Sequence, residues 1–341
     1  MVDALMAGSP APATRRVRID HHSAVHDAAE TARSLARECG LPGAMPDLAA
    51  VLASELAGNL DKHAVDGSLY LQPLPLGGGL EILAADRGPG MAELERCLTD
   101  GYTTKGTLGA GLGAVRRIAT DLTISTRAGT GTLICARLTL PDAREAAREA
   151  VGLLSLPAAH EDECGDAAAV TDLTGLRTAA VVDGLGHGPD ASEAAQAAVR
   201  TFRTHAERPL TEIMTAMHRT LRHTRGAAVG LLRLAAGEAE YCGVGNVRAV
   251  AIGPDEVHHR LTGRPGTVGW RMPAPRTYGF PLAGAATVVL HSDGIDLRWA
   301  HTPPSHLLRL PAPLLAAALV HGYHRTRDDA TVVAARPRSS R

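Results

Sequence analysis

The sequence is poor in aromatic side chains, in cysteine pairs, in net charge and in long apolar runs. Phe, Trp and Tyr make up 3% of its 341 residues, although apolar residues together make up 45%. The cores must therefore be built from Leu, Val, Ile and Ala, and the length predicts about two domains. A formal net charge of -1 gives no electrostatic reason to expect binding to nucleic acid or to a membrane surface.

The cysteines and the hydropathy pattern indicate a reducing compartment. The five cysteines are scattered and form no CxxC pair, which is typical of free thiols in a cytoplasm and argues against a zinc site. No apolar run approaches the length of a transmembrane helix, and the N-terminus lacks the charged-then-apolar pattern of a signal peptide. We therefore expect a cytoplasmic protein that does not associate with membranes.

The stretch from Asp86 to Arg117 has the pattern of a nucleotide cradle. Asp86-Arg-Gly88-Pro-Gly90 follows an apolar strand, so that a carboxylate able to accept a hydrogen bond from an exocyclic amine enters a glycine turn. A second glycine cluster opens an apolar helix, whose N-terminal N–H groups can hold phosphates. It consists of Gly109, Gly111 and Gly113. Either cluster taken alone could be an ordinary turn.

A helix predicted over residues 47–64 carries a third element. Glu55 and Asn59 lie one turn apart on one of its faces. The Asn oxygen can hold Mg²⁺, and the Glu can accept a proton from an attacking hydroxyl. For this pair alone a solvated polar face is the alternative, but both glycine clusters follow it in order. The other side of the helix is predicted to bury Leu48, Val51, Leu52, Leu56 and Leu60.

The rest of the first half is predicted to form a small layer of helices over a mixed sheet. A strand over residues 15–20 precedes a helix that runs from Ser23, its expected N-cap, to about Cys39. Two hairpins turn at Gly77–Gly79 and at Ala128–Gly131.

These motifs, together with Asp100-Gly-Tyr-Thr-Thr-Lys105, resemble the ATP-binding domain that histidine kinases, gyrase and certain heat-shock chaperones share. They are most similar to the anti-sigma-factor serine kinases of the RsbT type, over about residues 15–140. The resemblance implies that Glu55 is the general base, that Asn59 binds Mg²⁺ and that Asp86 reads adenine. The remaining ATP contacts that it implies are Gly88, Gly90, Lys105, Gly109, Gly111, Leu112 and Gly113.

The second half places aspartates at the ends of predicted strands. Asp183 and Asp293 each end an apolar run, Asp166 follows Glu163-Cys-Gly, and Asp328 precedes the final strand over residues 330–335. A single Asp-Gly pair is most simply a turn signal. Four such carboxylates can instead converge on a pair of Mg²⁺ or Mn²⁺ ions, because these ions take oxygen ligands and can activate a bridging water.

This set resembles the metal-dependent serine/threonine phosphatases of the SpoIIE type over about residues 156–336, and its RsbX-like branch most closely. The resemblance to the SpoIIE type rests on Val182–Gly188, on Ser292-Asp293-Gly-Ile and on Asp328-Asp329-Ala-Thr. The likeness to the RsbX-like branch rests on Thr224-Arg-Gly-Ala-Ala-Val and Gly243-Val-Gly-Asn246. It implies that Asp183, the carbonyl of Gly184, Asp293 and Asp328 bind metal. Asp166 would hold a metal or its waters and act in catalysis, while the role of Asp329 is left open.

The predicted fold class is α/β (α+β). The two resemblances imply an N-terminal two-layer Bergerat-type ATP-binding sandwich over residues 15–140 and a C-terminal α/β/β/α phosphatase sandwich over residues 156–336. Residues 141–155 are predicted to be a linker, and residues 1–14 and 337–341 to be tails.

The resulting hypothesis is one chain with two opposed enzymes, whose cofactors are ATP with Mg²⁺ and a pair of Mn²⁺ or Mg²⁺ ions. The first domain would phosphorylate a serine or threonine of a STAS-type partner in a sigma-factor or stress-signalling switch, and the second would hydrolyse such a phosphoester. The alternative is a phosphatase whose ATP-binding domain only regulates it or holds an anti-sigma partner. Because fold alone does not give function, the target follows from the resemblance only.

Overall fold

The computed structural model describes residues 13–91, 94, 111–144 and 151–338. The chain divides into two compact units, of which Thr14–Glu149 is the first, while Ala150–Arg341 together with Met1–Ala13 is the second. Four sequence predictions lie wholly or mainly outside the described residues. They are the N-terminal tail, the segment Asp100–Lys105, the phosphate contact Gly109 and the tail after residue 338.

The first unit is built on one five-stranded sheet, whose strand order is β1-β2-β3-β5-β4. Every pairing in this sheet is antiparallel, so the predicted mixed sheet is wrong. The two hairpins make β2–β3 and β4–β5 antiparallel, as tight turns must, and the non-hairpin pairs β1–β2 and β3–β5 are antiparallel as well. The strands are β1 (Arg15–Ile19), β2 (Gly67–Pro73), β3 (Gly79–Ala85), β4 (Asp121–Arg127) and β5 (Gly131–Thr139).

Helices cover one face of this sheet and form a two-layer unit. They are α1 (Ala24–Glu38), α2 (Met45–His63) and α3 (Gly111–Ile118). Leu56 of α2, Ile82 of β3 and Val115 of α3 belong to one buried cluster between the two layers. Because few large aromatics are available, alanines such as Ala28, Ala32 and Ala53 fill much of this core.

Two details of these helices differ from the sequence predictions. Ser23 is the N-cap residue of α1 as predicted, but its side chain makes no capping hydrogen bond, because its hydroxyl bonds to His21 Nδ1 at 2.7 Å. Leu48 and Val51 are 37% and 42% exposed, whereas they were predicted to be buried. The buried stripe of α2 contains Leu52, Leu56 and Leu60 as predicted, but Ala49 and Ala53 take the place of Leu48 and Val51 in it.

The second unit contains two five-stranded sheets, β13-β10-β9-β8-β7 and β12-β11-β14-β15-β6. Strands β7, β8 and β15 bring the two sheets face to face. Helices α4 (Pro189–His205) and α5 (Leu210–Thr220) cover the first sheet, and α8 (Ala312–Tyr323) covers the second. The unit is thus an α/β/β/α sandwich, and the predicted fold class is confirmed. Short helices α6 (Arg298–His301) and α7 (Ser305–Leu308) precede α8.

All strand pairs named in these two sheets are antiparallel. The strands, in chain order, are β6 (Val151–Leu156), β7 (Asp166–Leu173), β8 (Leu176–Gly184), β9 (Ala227–Ala235), β10 (Glu238–Val244), β11 (Arg248–Ile252), β12 (Val257–Thr262), β13 (Tyr278–Pro281), β14 (Thr287–His291) and β15 (Ala330–Ala335).

The predicted linker over residues 141–155 is too long. Residues 151–156 form β6, which pairs along its whole length with β15 from Val151↔Ala335 to Leu156↔Ala330. The charged, alanine-rich stretch before it hid the strand, because strands are depleted in such residues. Among the described residues, no helix is both long and apolar enough to cross a membrane.

Candidate functional site

The predicted adenine carboxylate lies in a turn that closes on itself. Asp86 follows β3, and its Oδ1 accepts a hydrogen bond from the Gly88 N–H at 2.6 Å. Burial raises the pKa of the Asp86 carboxyl above its usual range, and hydrogen bonds from backbone N–H groups partly offset this. The carboxylate is therefore oriented by its own loop before any ligand arrives.

Glycines are required in this loop by close backbone approach. Gly90 has φ +74°, and a Cβ there would lie 2.4 Å from the Arg127 carbonyl oxygen. Gly131 in the facing hairpin is tighter still, because a Cβ there would lie 2.0 Å from the Asp86 carbonyl oxygen. Sequence reasoning placed Gly131 in a turn but missed this contact, which holds Asp86 from the opposite side.

The end of helix α2 leads directly to the Asp86 loop. The Arg87 N–H donates to the Val65 carbonyl at 2.9 Å, and a Cβ at Gly88 would lie 3.0 Å from the His63 carbonyl oxygen. Glu55 and Asn59 precede His63 by two turns and one turn on this helix. The C-terminal end of the helix that carries Glu55 and Asn59 is therefore in direct backbone contact with the Asp86 turn.

Asn59 carries a polar atom that the described residues do not satisfy. Its Nδ2 is buried and has no hydrogen-bond partner among them. An unpaired buried amide donor costs free energy, so such an atom in a folded protein suits a ligand. Glu55 is half-buried on the same helix.

The second glycine cluster is described from Gly111 onward. Gly111 has φ +55° at the first residue of α3, and Leu112 and Gly113 are buried behind it. Helix α3 packs against α2, so its N-terminal half and the Asn59 helix are neighbours. Lys105 and Gly109 lie outside the described residues, and their roles remain predictions.

These residues fit a magnesium nucleotide in the character of their donors and acceptors. Asp86 is a half-buried carboxylate that can accept a hydrogen bond from an amine. The Asn59 Nδ2 is a buried donor without a partner among the described residues and suits an acceptor such as a phosphate oxygen, while the Asn59 amide oxygen is the atom that can bind Mg²⁺. The start of α3 adds a helix end with positive partial charge. Their individual roles remain predictions.

In the second unit, sheet register brings two of the predicted metal aspartates together. Asp166 at the start of β7 pairs directly with Asp183 near the end of β8. Like charges so placed oppose each other's ionisation. Burial first, and the Asp183 charge second, raise the pKa of Asp166 well above its usual range.

Burial and two neighbouring carboxylates raise the pKa of Asp183. Burial, and then the charge of Asp293, raise the pKa of Asp183 to about 7, and Asp328 adds a further repulsive charge. The carboxylates of three separate segments therefore influence one another's ionisation, and their role as metal ligands remains a prediction.

Asn246 was not predicted as a site residue, although its side chain holds this cluster. Its Nδ2 donates to Asp293 Oδ2 at 2.8 Å, and its hydrogen bond also lowers the pKa of Asp183. It follows the tight turn at Gly245, which has φ +91°. The motif Gly243-Val-Gly-Asn246 was the available signal, but its contact partner lies 47 residues away in the sequence.

Ser292 is a second residue that the sequence reasoning missed. Its Oγ donates to Asp166 Oδ2 at 2.7 Å and accepts from the Thr331 N–H at 2.9 Å. The Thr331 hydroxyl in turn bonds to Ser155 of β6 at 2.7 Å. This fully buried chain of hydrogen bonds fixes Asp166 from the edge of the neighbouring sheet.

The structure separates the roles of Asp328 and Asp329. Asp328 is partly exposed, and burial followed by the Asp293 charge raises its pKa. Asp329 is buried, and its Oδ1 accepts from the Ala158 N–H at 2.9 Å. Its Oδ2 is buried without a partner among the described residues, and a Cβ at Gly165 would lie 2.6 Å from it. Asp329 thus anchors the loop before β7.

The predicted carbonyl ligand also has a defined position. Gly184 N–H donates to the Gly165 carbonyl at 3.1 Å, and a Cβ at Gly184 would lie 2.3 Å from the Ala191 carbonyl oxygen. Only glycine leaves this backbone unobstructed beside Asp183.

The donor set fits divalent cations because it is acidic, rich in oxygen and drawn from several segments. Its members interact in pairs: Asp166 with Asp183, Asp183 with Asp293, and Asp293 with Asp328. Among the described residues, no three His, Cys, Asp or Glu side chains stand together in a ligating group. The fit therefore lies in the chemistry and pairing of the donors.

Comparisons with known proteins agree with both halves of this description. Residues 176–338 match the family model of stage II sporulation protein E (SpoIIE). Over 109 residues the chain is 34% identical to the serine/threonine-protein kinase RsbT of Bacillus subtilis (strain 168), a match that covers 31% of this chain and 82% of that kinase.

Solved structures add one informative likeness. A chain solved in work on the bacterial stressosome, a modular system adapted to control secondary messenger signalling, is 31% identical with a TM-score of 0.50. The match covers 55% of this chain and 98% of that chain. RsbX in complex with magnesium is 22% identical with a TM-score of 0.46, covering 53% and 92%.

Proposed function

The chain belongs to the family of the serine/threonine-protein kinase RsbT and carries a SpoIIE domain, and from this premise we propose that it is a bifunctional regulator of partner switching. Its second unit removes phosphate from a phosphorylated serine or threonine. Its first unit uses ATP to place phosphate on such a residue. The observation that carries the proposal is the interaction of Asp183 with Asp293 and Asp328, which lie on separate segments, together with the hydrogen bond from Asn246 to Asp293.

In the second unit, Asp183, Asp293, Asp328 and the carbonyl of Gly184 hold a pair of Mn²⁺ or Mg²⁺ ions, and Asp166 holds an ion or its water ligands. The ions supply a water of lowered pKa and neutralise phosphoryl charge. Asn246 keeps the Asp293 carboxylate in place through its hydrogen bond, and Ser292 does the same for Asp166. Such support keeps site residues within a narrow range of positions.

In the first unit, Asp86 accepts a hydrogen bond from the adenine amine, and the start of α3 lies against the phosphates. Asn59 holds Mg²⁺ with its amide oxygen, and the ion supplies charge neutralisation at the phosphates. Glu55, one turn earlier on α2, accepts the proton of the attacking serine or threonine hydroxyl. Lys105 and Gly109 complete the phosphate contacts in this proposal.

The substrate in this proposal is a STAS-type protein of a stressosome-like or sigma-factor switch. The similarity to RsbT and to a chain from the bacterial stressosome supports this class of partner. A single chain that adds and removes the same phosphate would set the fraction of partner that is phosphorylated.

A second candidate function is a phosphatase whose first unit binds ATP only to regulate it or to hold a partner. The half-buried Glu55 one turn from Asn59 favours transfer over binding alone. A pure binding module would not need a carboxylate at that position.

The deciding experiment incubates the protein with γ-labelled ATP and candidate STAS proteins, with Mn²⁺ withheld and then added. We expect label to enter the STAS protein in Mg²⁺ and to leave it after the Mn²⁺ chase. Asp183→Asn should prevent the loss of label without affecting its entry. Label that never enters any STAS protein would favour the regulatory-module alternative.

A further inference from the structure

A tight turn after α5 fixes the position of Arg225. The Thr224 hydroxyl accepts a hydrogen bond from the Gly226 N–H at 3.0 Å. Gly226 has φ +84°, and a Cβ there would lie 2.7 Å from the Val268 carbonyl oxygen. Because residues on both sides of Arg225 are held, its Cα has little freedom.

The same turn is bonded to the segment that follows Asp183. The Gly226 carbonyl accepts from the Leu185 N–H at 3.0 Å, and the register pairs Gly184 with Ala227. The backbone of Arg225 therefore lies at the same end of the sheet as Asp183, next to the residues that follow Asp183.

The guanidinium of Arg225 reaches back over this segment. Its Nη1 lies 3.2 Å from the point that a Cβ on Gly186 would occupy. Gly186 follows Asp183 by three residues, a span of at most about 11 Å of extended chain. A glycine at residue 186 leaves the space that this side chain uses.

The present partner of Arg225 is replaceable. Its Nη2 lies 2.5 Å from Asp190 Oδ2, and the two side chains are 53% and 62% exposed. Exposed ion pairs of this kind contribute little to stability. Arg225 can therefore turn from Asp190 to a stronger anion at small cost.

The aspartate cluster creates the need for such a cation. Asp166, Asp183, Asp293, Asp328 and Asp329 are linked by pairwise charge interactions, and their negative charge opposes the approach of a phosphate monoester dianion. A guanidinium pairs with phosphate oxygens in a planar, bidentate manner. We propose that Arg225 is the phosphate-binding residue of the second unit and holds the phosphoryl group of the protein substrate. This inference rests on the phosphatase function proposed above.

Arg325 is the competing cation. Its charge lowers the pKa of Asp328, but its Nη2 also lies 4.0 Å from Asp296 Oδ2, which Arg298 contacts at 3.0 Å. Its backbone N–H is bonded to the Gly294 carbonyl at 2.7 Å. It therefore serves as a comparison in the test.

The first measurement is calorimetric titration of the Mn²⁺-loaded full chain with inorganic phosphate. Arg225→Ala should weaken phosphate binding about ten-fold or more. Arg225→Lys should keep part of the phosphate affinity, because lysine retains the positive charge but lacks the bidentate guanidinium. Arg309→Ala is the matched control, since Arg309 also forms an exposed pair, with Asp255 at 2.7 Å. We expect it to bind phosphate as the wild type does.

The second measurement is steady-state hydrolysis of a phosphorylated STAS protein. Arg225→Ala should raise KM by a similar factor and change kcat and the Mn²⁺ activation constant less. Asp190→Asn should leave KM unchanged or lower it, because it removes the residue that competes for the guanidinium.

These measurements separate the two proposals. A wild type that binds phosphate but hydrolyses no phosphoprotein would contradict the proposed function and not the role of Arg225. Unchanged phosphate affinity in Arg225→Ala would overturn the inference. The same holds if Asp190→Asn and Arg225→Ala weaken binding equally, or if Arg325→Ala alone weakens it.

Discussion

At the scale of single residues, Asp86 and Asp329 show how a carboxylate can be held by backbone. Each accepts a backbone N–H on Oδ1, from Gly88 in one case and from Ala158 in the other. Burial raises the pKa of both carboxyls. The contacts fix their direction, so replacing either one tests a position and a charge together.

Asp86→Asn should weaken ATP binding to the whole chain while leaving the fold intact. The change removes the charge from a hydrogen bond to the adenine amine, which contributes about 1.5–3 kcal/mol. Isothermal titration with ATP and Mg²⁺ measures the loss, and Asp47→Asn, an exposed carboxylate change on α2, is the control. Equal ATP affinity for Asp86→Asn and wild type would contradict the role of Asp86.

Glu55→Ala should abolish phosphate transfer and leave ATP affinity nearly unchanged. A general base acts on the attacking hydroxyl and not on the nucleotide, and its loss costs about 10²–10⁴-fold in rate. Transfer of label to a STAS protein and ATP titration are measured on the same preparation. A parallel loss of binding and transfer would make Glu55 part of the nucleotide site instead.

At the scale of elements, the loops that carry the aspartates are held by glycines. A Cβ at Gly294 would lie 1.9 Å from the Asp329 carbonyl oxygen. The Asp293 turn and the Asp329 segment are thus in backbone contact, and neither can move without the other. This contact joins two of the predicted metal-binding segments.

Gly294→Ala should therefore destabilise the second unit by about 1–3 kcal/mol through overpacking and impair Mn²⁺-dependent hydrolysis. Gly322→Ala in α8 is the matched control, because nothing lies within 4 Å of its added Cβ. Glycine in a helix costs stability, so this control should gain up to about 1 kcal/mol. Denaturant midpoints of the two variants give the comparison, and equal midpoints would contradict the role of the contact.

Element boundaries could be predicted where local sequence determines them. Strand β15 occupies 330–335 as predicted, because an apolar, β-branched run follows two aspartates. Strand β6 was missed because its pairing depends on β15, far along the chain. Leu48 and Val51 were misplaced because apolar character alone does not say which face a helix buries. Asn246 and Ser292 escaped notice because their contacts are entirely non-local.

At the scale of the whole molecule, two sites with opposed chemistry on one chain define a steady state. In ATP, Mg²⁺ and Mn²⁺, we expect the wild type to hold a STAS substrate at partial phosphorylation while it consumes ATP continuously. Asp293→Asn should drive the substrate to full phosphorylation, and Glu55→Ala to none. Phosphate-affinity gels follow the phosphorylated fraction. A steady state that Asp293→Asn does not change would mean that the two sites act on different residues.

Metal should stabilise the second unit more at pH 8 than at pH 5. The raised pKa of Asp183, about 7, means that the folded chain holds this proton more tightly than the unfolded chain does. Ionisation as the pH rises through 7 therefore costs stability, which a bound cation restores. Below the pKa the carboxyl is neutral and a cation has less to bind.

Thermal unfolding in Mn²⁺ and in EDTA at the two pH values measures this difference, with roughly 2–4 °C expected per kcal/mol for a unit of this size. The apolar core should keep the unit folded in EDTA. Asp183→Asn should lose the extra stabilisation by Mn²⁺ at pH 8. An equal rise of the unfolding temperature with Mn²⁺ at both pH values in the wild type would contradict the prediction.

The pairing of β6 with β15 has a consequence for the order in which the chain becomes competent during synthesis. Ser155 and Thr331, which are bonded across these strands, are separated by 176 residues. The first unit, whose strands pair within residues 15–139, is complete on the ribosome before most of its neighbour exists. The second sheet can close only after residue 335 has left the exit tunnel, and Asp328, a proposed metal ligand, emerges just before it. A nascent or prematurely ended chain would thus carry the proposed kinase unit without the proposed phosphatase unit.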